Sequence, residues 1–251
     1  MDISNRTIFI IGATSGIGLG LARRFATAGS TVIVGGRRTD PIDGLEVVEI
    51  DVTDADSVAR ARDAVLDRHP GLDTVVTMAG VMLVEDLRDP AHFATAETTI
   101  DINLLGTIRV IDAFTPHLLA RGAGTFITVS SGIAFLPFPL MPTYGASKAA
   151  VHAYSESLRA QLLGTGVGVA ELVPPAVATT AETKQMNPAA VDLGAFLDEA
   201  ISLLTQSPTP DEILVEAVHE HRWAEREGTY GELVTRRSQA LAMLPGRSVQ
   251  A

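Results

Sequence analysis

The chain has 251 residues, 46% of them hydrophobic, enough for one large α/β core or two small ones. A formal charge of −11 argues against nucleic acid as a partner, although one local basic site can still take a phosphate-bearing ligand. The absence of cysteine excludes disulfides, thiolate metal sites and thiol nucleophiles, and fits a cytoplasmic protein.

The opening MDISNRTIFIIG has no basic stretch ahead of its apolar run, and Gly12 interrupts that run early. Neither a signal peptide nor a membrane span is expected, which makes the Asn5-Arg6-Thr7 sequon a chance match. No long repeat, low-complexity tract or Pro/Gly/Ser linker divides the chain, so residues 1–251 read as one domain.

Residues 7–11 (TIFII) are β-branched and apolar, as in a strand buried on both faces. Gly12-Ala13-Thr14-Ser15-Gly16-Ile17-Gly18 follows at once, and 19–28 has a helical pattern with Leu21, Ala22 and Phe25 inward. Strand, glycine turn and helix are the setting of a phosphate-binding turn, because glycine lets backbone approach a ligand and a helix N-terminus attracts anions. The second strand, 31–34, ends in Gly35-Gly36-Arg37-Arg38. An acidic residue there would bind a ribose 2′-hydroxyl, whereas two arginines suit a 2′-phosphate, which points to NADP rather than NAD; the alternative is two solvated arginines on a turn.

A third strand is expected at 47–50, followed by Asp51-Val52, then a helix over 55–68. Asp51 either meets an adenine edge or caps that helix, and for Asp54 the cap is preferred. The fourth strand, 74–78, leads to Ala79-Gly80, where backbone can pass close to a ligand. Three βα units in a row predict an α/β fold with a doubly wound, mostly parallel sheet in three α/β/α layers.

A long helix is expected over 93–119, with Asn103 in an apolar setting where it must find partners, either in a distorted helix turn or by holding a water. The fifth strand, 124–129, carries Ser130 and Ser131 at its C-terminal end, where open α/β sheets bind ligands. A helix over 144–163 then places Tyr144 and Lys148 one turn apart on one face. A fixed cation beside a phenol favours the phenolate and lowers its pKa, giving a tuned acid/base, and Ser131 can hydrogen-bond the oxygen that Tyr144 protonates. The chain has two lysines, Lys148 and Lys184, against seventeen arginines, so the lysine at 148 is a departure from its own habit. Its ammonium is compact and can lose a proton, which arginine cannot.

A sixth strand at 167–173 ends rigidly in Pro174-Pro175. Residues 178–190 show little regular pattern and read as a substrate loop, extending to about 196, or as an ordinary surface loop. Helix is expected over 193–204 and 216–227, with a short strand at 212–215 and a helical extension to about 244. His219 and His221, two apart, share no helix face and are expected to be solvated, so no metal site is expected.

Taken together these residues resemble the short-chain dehydrogenase/reductase family over residues 7–179, with Gly12, Gly16 and Gly18 on its glycine motif and Asn103, Ser131, Tyr144 and Lys148 on its catalytic tetrad. The segments SSGIAFLPFPLMPTYGASKAAVHAYSESLRAQL, ELVPPAV, EILVE and WAEREGTY are similar to the bacterial DltE-like oxidoreductases within it. Three departures stand out: Ile11 for the usual Thr, Thr77-Met78 for the two Asn before Ala79-Gly80, and Pro175 for the Gly after Pro174.

The resemblance implies a Rossmann fold and hydride transfer between nicotinamide and a carbonyl or secondary alcohol. It makes Tyr144 the acid/base and has Lys148 bind the nicotinamide ribose. Ser131 then holds the substrate oxygen, and Asn103 orders a water. It assigns cofactor contacts to Gly12, Thr14, Ser15, Gly16, Ile17, Gly18, Arg37, Arg38, Asp51, Val52, Ala79, Gly80, Pro174, Val177 and Thr179, with NADP(H) preferred and NAD(H) possible. The expected substrate walls are Phe135, Pro137, Met141 and Pro175, mostly apolar, unless 135–142 only packs on the cofactor loop. A homodimer or homotetramer is expected through the helices around Asn103 and Tyr144. The competing readings are an NADP-binding sensor without turnover and an NAD-dependent alcohol dehydrogenase.

Overall fold

The computed structural model describes residues 1–247. Seven strands form one parallel sheet: β1 (Thr7–Ile11), β2 (Thr31–Gly36), β3 (Glu46–Glu49), β4 (Thr74–Thr77), β5 (Gly124–Val129), β6 (Val167–Val173) and, after a two-stranded ladder of β7 (Val177–Ala178) and β8 (Val191–Asp192), β9 (Glu212–Leu214). Their order is β3-β2-β1-β4-β5-β6-β9. The order reverses between β1 and β4, so the crevice at their C-terminal ends is the natural ligand site of this doubly wound sheet.

Side-chain alternation builds the two helical layers. Ile8 and Ile10 of β1 point to one face and pack with Leu21, Ala22 and Phe25 of α1 (Gly16–Thr27). Phe9 and Ile11 point to the other and pack with Val58, Ala61 and Val65 of α2 (Ala55–Arg68). Ile11 is thus a core residue of that layer. Each fully buried side chain of this size contributes roughly 1.5–3 kcal/mol of transfer free energy, so register is strongly fixed on both faces. Asp54 caps α2, its side chain accepting from the Asp56 N–H at 2.9 Å.

The helix expected over 93–119 is three pieces: α3 (His92–Ile100), a π-turn (Asp101–Leu105) and α4 (Gly106–Arg121). Asn103 sits in the π-turn and is fully buried. The catalytic candidate helix α5 runs Pro142–Gln161, beginning two residues earlier than expected because Pro142 is pre-set for the first helical position. The patternless 178–190 holds β7 and a one-turn helix, α6 (Ala181–Met186), closed by a reciprocal box in which Thr180 and Thr183 serve each other's backbone. That box uses Thr where Glu or Gln is the usual signature, which is why the pattern passed unnoticed.

α7 (Leu193–Leu204) packs beside α1. A 3₁₀ turn (Glu216–Val218), α8 (His219–Glu227), α9 (Tyr230–Ser238) and a second 3₁₀ turn (Gln239–Met243) complete the extension. Ala224 and Leu233 of α8 and α9 bury Leu136 between them, so the extension sits on the segment after β5. No helix among the described residues is long and apolar enough to cross a membrane.

Candidate active site

The glycine turn is built by close backbone approach. Gly12 has φ +91°, and a Cβ on it would lie 2.5 Å from the Ala79 nitrogen; a Cβ on Gly18 would lie 2.5 Å from the Gly12 oxygen. The chain thus leaves β1 in direct contact with the backbone leaving β4, which is why position 12 takes glycine. Gly16 takes φ +56° and faces the methyl of Thr179, 3.5 Å from where its Cβ would be. Thr14 lies against Gly36 at the end of β2, and Ile17 packs into the α1 layer.

Ser15 at the N-cap of α1 makes no side-chain bond to the helix, and the first turn holds no acid. Its first N–H groups are therefore left for an anion. The glycine cradle that any Cβ would fill and the uncapped helix start fit a pyrophosphate.

Arg37 and Arg38 are exposed just past β2, and neither enters an ion pair among the described residues. Asp51 accepts from the Thr53 N–H at 2.9 Å and the Thr53 hydroxyl at 2.7 Å. Those bonds hold its carboxyl below the usual range, and the field of Arg37 adds to them. Val52 is buried, and its carbonyl accepts from Arg109 at 3.0 Å. Thr77, standing where the resemblance has Asn, buries its hydroxyl without a partner.

On α5, Lys148 is buried and its Nζ donates to the Val129 carbonyl at 2.8 Å, fixing it under the end of β5. It stands 5.8 Å from the centre of the Tyr144 ring. Burial pushes the Lys148 ammonium down to about 8, with Glu171 acting in the opposite direction. The expectation that Tyr144 lies below an ordinary phenol is not met. Burial pushes it up, and a hydrogen bond with Ser131 draws it only part of the way back. Desolvation of a phenolate outweighs the help it gets.

The Ser131 hydroxyl also donates to the Pro174 carbonyl at 3.4 Å, and the Gly132 N–H donates to that same carbonyl at 2.9 Å. Pro174 therefore ties the end of β6 to the Ser131 segment. Asn103 Oδ1 accepts from the Val81 N–H at 2.8 Å, while Nδ2 donates to the Val81 carbonyl at 2.9 Å and to Ser147 Oγ at 3.1 Å. The distorted turn is present, but the Asn103 side chain finds its partners outside it, on Val81 and Ser147. Its side chain locks the segment after Gly80 to α5, and Lys148 Nζ lies 3.8 Å from where a Gly80 Cβ would be.

Three contributors lay outside the sequence reading. Ser147 links Asn103 to the Tyr144 carbonyl, donating to it at 2.7 Å. Glu85, buried, accepts from the Thr143 N–H at 3.0 Å and the Thr143 hydroxyl at 2.9 Å, serving the first turn of α5 beside Tyr144. Glu171, fully buried on β6, accepts from Ser130 Oγ and contacts His152 Nδ1 at 2.8 Å. An acid in a stretch such as VGVAELV is a detectable oddity, but only the fold says which way it points.

The expected walls fare unevenly. Met141 and Pro175 are half-buried at the start of α5 and after β6, and Val177 pairs with Val191. Pro137 is exposed. Phe135 is corrected. Its ring meets His152 edge-on at 4.7 Å and carries the Arg222 guanidinium at 4.6 Å, so it packs with the core under α8 instead of standing free as a wall. His221 is also corrected. It is half-buried against Gly132, accepts from Arg237 at 2.7 Å, and is pushed down to about 4 by burial and then by Arg237. Arg237 reaches the Leu136 carbonyl as well, so α8 and α9 clamp the segment after Ser131.

The family model described as short chain dehydrogenase matches residues 6–190. The uncharacterized oxidoreductase DltE of Bacillus subtilis (strain 168) is 32% identical over 187 residues, 71% of this chain and 74% of that protein. A sulfoacetaldehyde reductase of Chromohalobacter salexigens is 36% identical over 178 residues, 66% of this chain and 70% of that protein. Among solved structures, a short chain dehydrogenase from Burkholderia cenocepacia J2315 in complex with NADP superposes with a TM-score of 0.80 at 24% identity, covering 93% of this chain and 99% of that one. The chain belongs to the short-chain dehydrogenase family, has DltE-like oxidoreductases among its relatives, and is an NAD(P)-dependent oxidoreductase.

Proposed function

We propose that the protein, acting as one domain, reduces an apolar ketone or aldehyde with NADPH. The observation that carries this is the placement of Tyr144 and Lys148 one turn apart on α5, with the uncapped start of α1 across the crevice; Ser131, whose hydroxyl acts on the Tyr144 phenol, supports it. When bound, the nicotinamide supplies or accepts the hydride. Gly12, Gly16, Gly18 and the first turn of α1 would hold the pyrophosphate, and Val177 and Thr179 would hold the carboxamide. Arg37 and Arg38 receive a 2′-phosphate, which their freedom from ion pairs supports. Asp51 and Val52 border the adenine.

Ser131 donates to the substrate oxygen and orients it. Tyr144 gives its proton to that oxygen; a phenol raised by burial is fully protonated at neutral pH, as reduction requires. The Lys148 ammonium binds ribose hydroxyls beside it. Asn103 holds the strand-end segment that borders Lys148. The name of the Chromohalobacter relative, a reductase of an aldehyde, supports the reductive direction. Met141 and Pro175 remain as apolar walls.

The protein is further proposed to form a homodimer or homotetramer, supported by exposed Phe93, Leu105 and Leu119 along α3, the π-turn and α4, and by exposed Ala146 and Ala153 on α5. The test follows NADPH absorbance with a panel of apolar aldehydes, ketones and diketones, with NADH and Tyr144→Phe as controls. Turnover that prefers NADPH and vanishes in Tyr144→Phe is the expected result. Equal turnover in that variant would sink the mechanism, and tight NADPH binding with no turnover across the panel would favour a sensor.

A further inference from the structure

Glu171 is an acid with no route to solvent of its own. In β6 it shares the sheet face of Val167 and Val169, the face that α5 covers. Its side chain is fully buried, with one oxygen accepting from Ser130 Oγ and the other 2.8 Å from His152 Nδ1. Lys148 and His152 are four apart on α5 and so face β5 and β6 together. A buried ammonium without a counter-charge sheds its proton, and Glu171 is the one carboxylate among the described residues whose field reaches Lys148.

The charges around this pair are limited. Lys148 bonds Val129, stands beside Tyr144 and Gly80, and feels the field of Glu171. Glu171 bonds Ser130, the residue after Val129, and His152, one turn along α5 from Lys148; it feels Arg222 and lies in register with Glu212 on β9. His152 faces Glu171, Glu156 at 3.7 Å, Glu212 and the Phe135 ring, and Glu212 is held by Arg222 at 2.7 and 2.9 Å. Three carboxylates thus stand with Lys148, Arg222 and Arg159, the last also pairing with Asp211 at 3.3 Å, and His152 is the titratable group among them that bonds Glu171 directly.

We propose that Glu171 and His152 are positioning residues that act on the reaction through Lys148: Glu171 is the buried counter-charge that keeps Lys148 an ammonium, and His152 carries solvent pH to that carboxylate. This rests on Tyr144 and Lys148 being the working pair. The bond to Glu171 raises His152 above its ordinary value, against the opposing effect of burial. On acidification the imidazolium compensates Glu171 and withdraws part of its support from Lys148. A plain structural staple between α5 and β6 would use the same bonds but would leave the charge state of Lys148 alone.

Two lysines make the test direct, and it needs no substrate. Protein labelled with ¹³C at lysine Cε gives signals from Lys148 and Lys184 alone, assigned with Lys184→Arg, and each is titrated. In Glu171→Gln the Lys148 midpoint is expected to fall by about one pH unit or more while Lys184 stays, and Glu171→Asp restores part of the shift. In His152→Gln the Lys148 signal is expected to lose the inflection that follows the imidazole. An unmoved Lys148 midpoint in a Glu171→Gln protein with a native circular dichroism spectrum overturns the proposal. If that variant does not fold, wild type against His152→Gln decides: the same Lys148 curve in both overturns it.

The pH profile of turnover, once a substrate is in hand, supplies the link to the reaction. The basic limb of kcat should move with the Lys148 midpoint. A moved midpoint with an unmoved limb reduces the pair to a staple. The reductase reading itself stands or falls separately, on Tyr144→Phe.

Discussion

The β1–β4 side of the crevice offers a ligand backbone; the β5–β6 side offers ionisable side chains. On the first side, Gly12, Gly18 and Ala79 bring main chains so close that a single Cβ would collide at 2.5–2.6 Å. On the second, Lys148, Glu171, Asn103, Ser130 and Ser147 are all buried and bonded to one another's elements. A backbone site binds by shape and by the helix dipole and does not change with pH. A buried ionic site is costly to desolvate, and its state depends on every charge around it. The one half is suited to holding a constant ligand, the other to moving a proton.

The sharpest way to separate the halves is Tyr144→Phe. It should lower kcat by about 10²–10⁴-fold, the range for loss of a positioned general acid, and leave NADPH affinity nearly unchanged in a binding titration. A matching loss of affinity would merge the two halves. Gly12→Ala is the opposite break. Strain at φ +91° and contact with Ala79 together should cost about 3 kcal/mol, seen as an affinity loss on the order of 100-fold.

Replacing Arg37 and Arg38 by Ser should weaken NADPH about 10–100-fold while sparing NADH, the scale of one or two charge-assisted bonds. Equal weakening would show that they do not meet a 2′-phosphate. A smaller effect concerns pH. Because burial depresses Lys148, its ammonium is complete well below about 8 and is lost as pH rises through that value, so kcat should fall on the basic side near 8. The folded form also binds fewer protons than the unfolded chain between about 8 and the ordinary lysine value, so the penalty of burying this ammonium is full below 8 and fades across that window. Smallest is Asp54→Ala, which removes the α2 cap. It should cost about 1 kcal/mol in thermal or denaturant unfolding and leave kcat nearly as it was, since the Asp54 side chain bonds only the first turn of its own helix and a surface arginine.

Much of the backbone half was legible. TIFII, the glycine turn and the Asp54 cap are local patterns, and β1, α2 and the cap came out as expected. The side-chain half was legible only at its spacing. Tyr144 and Lys148 are four apart in one helix, but nothing in that spacing told that burial would raise the phenol or that Phe135 would turn toward His152 and Arg222. His221 looked solvated because its partners, Gly132 and Arg237, are remote or on another helix.

The sequence by itself determined most of the strands and helices in chain order, the glycine turn and the identity of the Tyr–Lys helix, because each follows from residues within one or two turns of one another. Only the tertiary structure decided the direction of the pKa shifts, the partners of Asn103, the clamp of α8 and α9 on Leu136, and the meeting of Glu171 with His152 and Lys148. Those depend on desolvation and on charges brought together from α5, β5, β6 and β9, and an electrostatic field has no local signature in the chain.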